Sequence, residues 1–442
     1  MVKPEIVIRP PGPQAKKIIE RDRNIISQSM VRSYPLVLKR AYGVNLEDVD
    51  GNRYLDFNSG IAVMSLGWSN PQVLEAVKKQ VENLTHAAFL DFYSDVPVRA
   101  AELLVSFMPQ GLNRVYYANS GAETIEAALK LSRYYTKRKY FISFYGGFHG
   151  RTYGALSLTS TRVLYRKHFG PFLPVIHAPY PDPFRCPLGV NSETCGLEII
   201  RYIEDKIFKS EVAPDEVAAI FVEPIQGEGG YIVPPKSFLQ HLRKLCSDNG
   251  ILLVADEIQS GCFRTGRFLA SEHFGVKPDI VCLSKALGGG LPLGAAVASE
   301  DVMIWPPGSH ASTFGANLAS AAACEATLKI MKKKDFGRKI LEKGSYIMKR
   351  LRELQNECSL VGDVRGLGLM IGIELVDDLQ SKKPARKARD STIKSCFEKG
   401  LVLMGAGESA IRLAPPLIIE YDDIDIGLSI LGRSLRLAQK RR

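Results

Sequence analysis

Residues 251–290 read ILLVADEIQSGCFRTGRFLASEHFGVKPDIVCLSKALGGG, and this stretch decides the fold. It holds two short apolar runs, residues 251–255 and 279–283, with the length and branching of strands buried on both faces. Each ends abruptly in polar chemistry, Asp256-Glu257 after the first and Ser284-Lys285 after the second. If both are parallel members of one sheet, Asp256 and Lys285 stand on the same rim. That rim, outside the carboxyl ends of the strands, is where open α/β sheets bind ligands.

Working outward, the same pattern recurs. Residues 115–118 form an apolar run that stops at Asn119-Ser120-Gly121-Ala122, with a helix over 123–135 directly behind it. Residues 141–144 run into Tyr145-Gly146-Gly147-Phe148-His149-Gly150-Arg151-Thr152, and residues 218–222 into Glu223-Pro224-Ile225-Gln226-Gly227-Glu228-Gly229-Gly230. Five apolar runs, each followed by polar or glycine-rich residues, argue for one active rim better than any single motif does. Before this region lie a proline-rich arm, a helix over 15–28 and an alternating segment, 36–57, that turns at Asp50-Gly51-Asn52. A helix follows over 71–83, then an aromatic loop over 89–95 that includes Asp91 and reads equally well as packing or as a pocket wall. After Asn317 come an alanine-rich helix to about 334, charged helices over 337–356, strands within 364–374 and 400–413, and a closing helix over 422–438. The expected organisation is α/β: a large domain over 76–335, and a smaller, discontinuous α+β domain. The smaller domain joins residues 336–442 to the arm and hairpin of residues 1–75.

Composition narrows the function. A chain of 442 residues with 45% hydrophobic content and 38 glycines fits a compact two-domain enzyme. The formal charge of +11 is spread along the chain, its densest run being the terminal Gln439-Lys440-Arg441-Arg442, read as a solvated tail. No nucleic-acid motif is present, and the excess charge suits anionic cofactors and dicarboxylate substrates. No secretory leader and no membrane-length apolar run are found, so the expected location is cytoplasmic, with no membrane and no nucleic-acid partner. The eight cysteines include no CxxC pair, so no metal site is expected and free thiols are the default. Cys186 and Cys195 alone lie close together, where a disulfide would point to a hyperthermophilic source.

The residues of the rim leave two readings of Asp256 and Lys285. One is a structural ion pair. The other is a pyridoxal phosphate site, with a lysine amine linked to the cofactor and a carboxylate facing its ring nitrogen. Ser120, Gly121 and Ala122 at a helix start make either an ordinary cap or an anion site. Phe148 and Ile258 either pack or flank a planar ring, and Thr313 either caps the helix after Asn317 or donates to phosphate. Arg412, between apolar neighbours, needs a carboxylate from the protein or from a substrate.

The motifs Asn119-Ser120-Gly121-Ala122-Glu123, Phe148-His149-Gly150-Arg151-Thr152, residues 223–230, Asp256-Glu257-Ile258-Gln259 and Ser284-Lys285-Ala286-Leu287-Gly288-Gly289-Gly290 occur in this order. Together they closely resemble the class III aminotransferases, pyridoxal-phosphate enzymes of fold type I, from Tyr54 to Pro416. The resemblance implies a seven-stranded, mostly parallel central sheet. It implies Lys285 as the lysine that carries the cofactor, Asp256 as partner of the ring nitrogen and Gln259 near the ring hydroxyl. Phe148 and Ile258 would flank the ring, with His149 and Glu223 in the same cofactor set. Ser120, Gly121 and Ala122 would hold phosphate, joined by Thr313 from the second subunit of a homodimer or dimer of dimers. Ile61, Asp91, Arg151, Glu228 and Arg412 would face the substrate, Glu228 and Arg412 as a bridge that opens for one substrate and closes for the other. Ile61 stands where 4-aminobutyrate enzymes carry isoleucine and animal-type ornithine enzymes a tyrosine. The implied reaction moves an amino group from a 4-aminobutyrate- or ornithine-like amino acid to a 2-oxo acid, 2-oxoglutarate. The alternative is an amino-acid racemase of the same family, with Glu228 as its second acid/base.

Overall fold

The apolar runs become strands because their residues can be covered on both sides. In the computed structural model, which describes residues 3–441, the strands in chain order are Leu38–Tyr42 (β1), Asn45–Asp48 (β2), Arg53–Asp56 (β3), Arg114–Ala118 (β4), Tyr140–Phe144 (β5), Val175–Ala178 (β6), Val217–Val222 (β7), Leu252–Asp256 (β8), Ile280–Leu283 (β9), Gly294–Ala298 (β10), Val361–Leu367 (β11), Met370–Leu375 (β12), Leu401–Val402 (β13), Met404–Ala406 (β14) and Ala410–Leu413 (β15). The central sheet has seven strands in the order β4-β10-β9-β8-β7-β5-β6. Its strands β6, β5, β7, β8 and β9 pair in parallel, and β10 runs antiparallel to both β9 and β4. Six strands therefore point one way, and their carboxyl ends share one rim.

Burial follows the strand period. Along β7, Ile220 and Val222 enter one core cluster, with Phe238 and Leu242, while Ala218 and Phe221 enter another, with Ile125 and Leu131. The next strand repeats this, Leu253 facing the first cluster and Val254 the second. Successive side chains point to opposite faces of a strand, so a continuous apolar run is what a sheet covered by helices on both sides requires.

Two strands escaped the reading of the sequence. β10 is Gly-Ala-Ala-Val-Ala, a composition of low strand preference. Its small residues serve close packing: a Cβ on Gly294 would lie 2.1 Å from Thr124 Oγ1 on the helix Gly121–Thr136. β6 is short and only partly buried, at the edge of the sheet.

The two ends of the chain meet outside this sheet. β13 pairs in parallel with β3, Leu401 opposite Leu55, and completes a sheet with β1 and β2. The third sheet, β11-β12-β15-β14, shares a core with them, in which Leu55 and Phe57 pack with Leu375, Leu401 and Leu413. The helix Pro71–Asn83, through which the expected division at residue 75 runs, lies against the helix Leu318–Met331, with Val73 in one cluster with Leu287 and Leu328.

One expectation is overturned. Cys186 and Cys195 are not free thiols but a disulfide, with Cα atoms 6.1 Å apart. A turn closed by Gly189 N–H donating to Cys186 O, followed by Cys195 N–H donating to Asn191 O, folds the insertion back on itself. The remaining six cysteines are buried and free. Among the described residues, no helix is long and apolar enough to cross a membrane.

Candidate functional site

Each rim residue is placed by the strand that precedes it. β4 delivers Asn119 and Ser120, and Ser120 caps the helix Gly121–Thr136, its Oγ accepting from Glu123 N–H at 3.2 Å. The amides of Gly121 and Ala122, in the first turn, have no partner among the described residues, so they are free to face an anion with the positive end of the helix behind them. Glycine at 121 also admits Ile258, since a Cβ there would sit 3.0 Å from Ile258 Cδ1.

β8 ends on Asp256, which is buried. One carboxylate oxygen, Oδ2, lies 2.7 Å from His149 Nδ1, and the other accepts from Ile258 N–H at 3.1 Å. Burial works against a charged His149, but the hydrogen bond and charge of Asp256, then the charge of Glu223, outweigh it and raise the imidazole above its usual range. Glu223, at the end of β7, ties two glycine-rich loops together by accepting from Phe148 N–H at 2.9 Å and Gly227 N–H at 2.8 Å. Burial pushes its carboxyl up to about 7, against the pull of His149. Gln259 spends its oxygen on the Tyr231 hydroxyl at 2.9 Å, leaving its amide N–H groups for another acceptor. A Cβ on Gly227 would lie 2.4 Å from Gln259 Nε2, so any larger residue there would displace the Gln259 amide.

Lys285 follows β9 in the left-handed region, with φ of 44°. Burial, and after it the Arg412 charge, push its amine down to about 8, against Asp256, Glu223 and Glu228. An ordinary lysine stays protonated until about pH 10. The free amine therefore predominates here from about pH 8 upward. Capture of pyridoxal phosphate by the apoenzyme, followed by absorbance, is expected to accelerate as pH rises through about 8 and then level off. A rate still climbing steeply at pH 10 would contradict this placement of the amine.

The residues expected to face a substrate are placed less uniformly. Arg412, on β15 and 3% exposed, donates from Nη1 to Glu228 Oε2 at 3.1 Å. Glu228 Oε1 accepts from Arg162 Nη2 at 3.2 Å, so both oxygens are engaged. The loop carrying Glu228 is held from behind: Gly407 N–H donates to Glu228 O at 2.8 Å, and Arg365 donates to Gly230 O while pairing with the buried Glu374. Arg151 is exposed and lies over the Tyr165 and Phe148 rings, at 4.3 and 5.7 Å. Ile61 is 41% exposed and sits in a left-handed turn, Ser59–Ala62, that Ser59 Oγ anchors to Ala414 O at 2.6 Å. Asp91 lies on an exposed turn, and Thr313 is exposed beside Ser312, whose Oγ accepts from Asn119 Nδ2 at 2.8 Å. Neither Asp91 nor Thr313 makes a bond to the Lys285 cluster within one chain.

Arg162, Tyr165 and Tyr231 belong to this neighbourhood and were not anticipated. Arg162 and Tyr165 come from a segment with no strand before it and no glycine-rich signature. Tyr231 directly follows Gly229-Gly230, a spacing that marked the loop but not the residue behind it.

The donor set suits pyridoxal phosphate: an unpartnered pair of helix amides for the phosphate, an amine held near 8 beside a buried carboxylate, and an amide side chain with free donors. The model of the class III aminotransferase family matches residues 26–435. An alanine/serine racemase of Pyrococcus horikoshii is 40% identical over 98% of this chain and 93% of its own length. An acetylornithine aminotransferase of Methanopyrus kandleri is 41% identical over 94% of this chain and 98% of its own. Among solved structures, the ornithine aminotransferase of Toxoplasma gondii superposes with a TM-score of 0.83 at 30% identity, covering 97% of this chain and 96% of that one.

Proposed function

Since this chain belongs to the class III aminotransferases, a pyridoxal-phosphate-dependent family, we propose that it moves an amino group from a 4-aminobutyrate- or ornithine-like ω-amino acid to 2-oxoglutarate. The observation that carries the reading is the engagement of both Glu228 oxygens by arginines.

The cofactor supplies an electron sink for the pair left behind when a proton leaves the substrate carbon. The chain's own residues do the rest. Lys285 Nζ takes that proton and returns it, and an amine held near 8 can do both around neutral pH. Asp256, backed by His149, keeps the ring nitrogen protonated. The amides of Gly121 and Ala122, with Ser120, hold the phosphate, and Phe148 and Ile258 confine the ring. Arg151 takes a substrate carboxylate. Arg412 stays closed on Glu228 for an ω-amine donor and opens for the second carboxylate of glutamate or 2-oxoglutarate, which gives one site two specificities.

The protein would work as a homodimer. Thr313 is exposed, and so are Phe92, Tyr93 and Phe314, as residues of a subunit interface would be in a separated chain.

Racemisation is the second reading, favoured by the similarity to the Pyrococcus enzyme. A two-base route needs a proton acceptor opposite the lysine, and Glu228 is the candidate. Held on both oxygens, it is poorly free to serve. The experiment is direct: incubate the holoenzyme with single L-amino acids and ω-amines, with and without 2-oxoglutarate. Glutamate formed only with 2-oxoglutarate supports transfer. D-enantiomer on a chiral column without any 2-oxo acid establishes racemisation.

Glu228→Ala separates the two further. With Arg412 already free, the glutamate half-reaction should quicken by about tenfold, the worth of one charged hydrogen bond. Loss of all activity in this variant would identify Glu228 as a proton carrier instead.

A further inference from the structure

Glu228 is gripped by two guanidinium groups of unlike character. Arg412 is almost fully buried, and its Nε has no hydrogen-bond partner. Arg162 has a side chain 43% exposed and binds the other oxygen, its guanidinium 5.8 Å from the Tyr165 ring centre. The turn that carries Arg162 is fastened to the glycine loop of Phe148. Ser160 N–H and Thr161 Oγ1 both donate to Gly147 O, at 2.9 and 2.8 Å, and Ser160 Oγ donates to Phe144 O at 3.0 Å. Arg162 is therefore held on the same loop system that presents Phe148 and Arg151.

Opening the Arg412–Glu228 bridge for a second substrate carboxylate poses an electrostatic problem. Arg412 exchanges one carboxylate for another and loses little. Glu228 loses its buried cation, and a partly buried carboxylate without a cation is costly. Arg162 already holds the other oxygen of that carboxylate. Rotation of Glu228 toward it keeps one charge-assisted pair intact throughout.

We propose that Arg162 is the alternative seat of Glu228, a positioning residue that stabilises the open bridge and so selects a dicarboxylate amine acceptor over a monocarboxylate one. This rests on the transaminase reading above and adds to it the residue that makes the switch inexpensive. Arg162 acts through Glu228, without touching the reacting atoms. Arg151 and Arg162 both lie against the Tyr165 ring, so two exposed guanidinium groups stand beside the bridge, which suits a doubly anionic substrate.

The test compares half-reactions of the holoenzyme, read as the change in cofactor absorbance on mixing with L-glutamate or with 4-aminobutyrate. In Arg162→Gln the ratio of glutamate to 4-aminobutyrate kcat/KM should fall about fivefold, the upper worth of an exposed ion pair. Arg162→Lys should recover part of that ratio. In a Glu228→Ala background, adding Arg162→Gln should leave the ratio where Glu228→Ala set it, because the residue through which Arg162 acts is gone. An equal fall for both substrates would reveal a merely structural role and overturn the proposal. So would a persistent fivefold effect in the Glu228→Ala background, which would mean direct contact with substrate. A wild type with no glutamate half-reaction at all would remove the transaminase reading itself, a result distinct from either.

Discussion

Lys285→Ala is expected to purify folded, to lack the visible absorbance of lysine-bound cofactor, and to lose turnover by at least about 10⁴-fold, because it removes the residue proposed to be both the cofactor's attachment and the proton carrier. The size of the effect follows from the placement. Lys285 closes β9 on the rim, and burial with the nearby Arg412 charge holds its amine near 8. No other amine stands among the described residues of the cluster formed by Asp256, His149, Glu223 and Glu228 to replace it. The fold should survive, because the left-handed backbone at 285 is as open to alanine as to lysine, and the core beneath is made by Leu283 and Leu287. An unchanged spectrum with retained activity would remove the central assignment.

Asp256→Asn is expected to bind cofactor and to turn over about 10² to 10³-fold more slowly, the range seen when one preorganised electrostatic partner is deleted from a dry site. The substitution acts twice. It withdraws the charge proposed to face the ring nitrogen, and it weakens the hold on His149, whose imidazole Asp256 raises above its usual range. The second effect has its own signature in the apoenzyme. A histidine raised in the folded state lends stability that is full below its unfolded pKa of about 6.5 and fades as pH rises through the folded value. The melting-temperature gap between wild type and Asp256→Asn should therefore be wider at pH 6 than at pH 9. A gap independent of pH, together with near-normal turnover, would reduce Asp256 to a packing role.

Much of this was legible because it is local. Residues 218–222 and 251–255 announce strands covered on both faces by being apolar at every position, and the abrupt change to Glu223 or Asp256 says where each strand ends. The order of such segments is enough to put Asp256 and Lys285 on one rim once the strands are parallel. The strand β10 was not legible. Its alanines and glycine satisfy the close approach of a neighbouring helix, a demand set by a residue 170 positions away.

Sequence by itself thus determined the fold class, the rim and the residue types gathered there, since strand period and strand ends are properties of neighbouring residues. It also showed that a buried Arg412 needs a carboxylate. What the tertiary structure alone decided is how charges are shared. Glu228 meets Arg412 across 184 positions and Arg162 across 66, one arginine on each oxygen. It also decided that Cys186 and Cys195 close on each other, that β3 pairs with β13, and that Asp91 and Thr313 are exposed. Such pairings depend on how loops close and how sheets pack, and no periodicity along the chain encodes the distance between two loop tips.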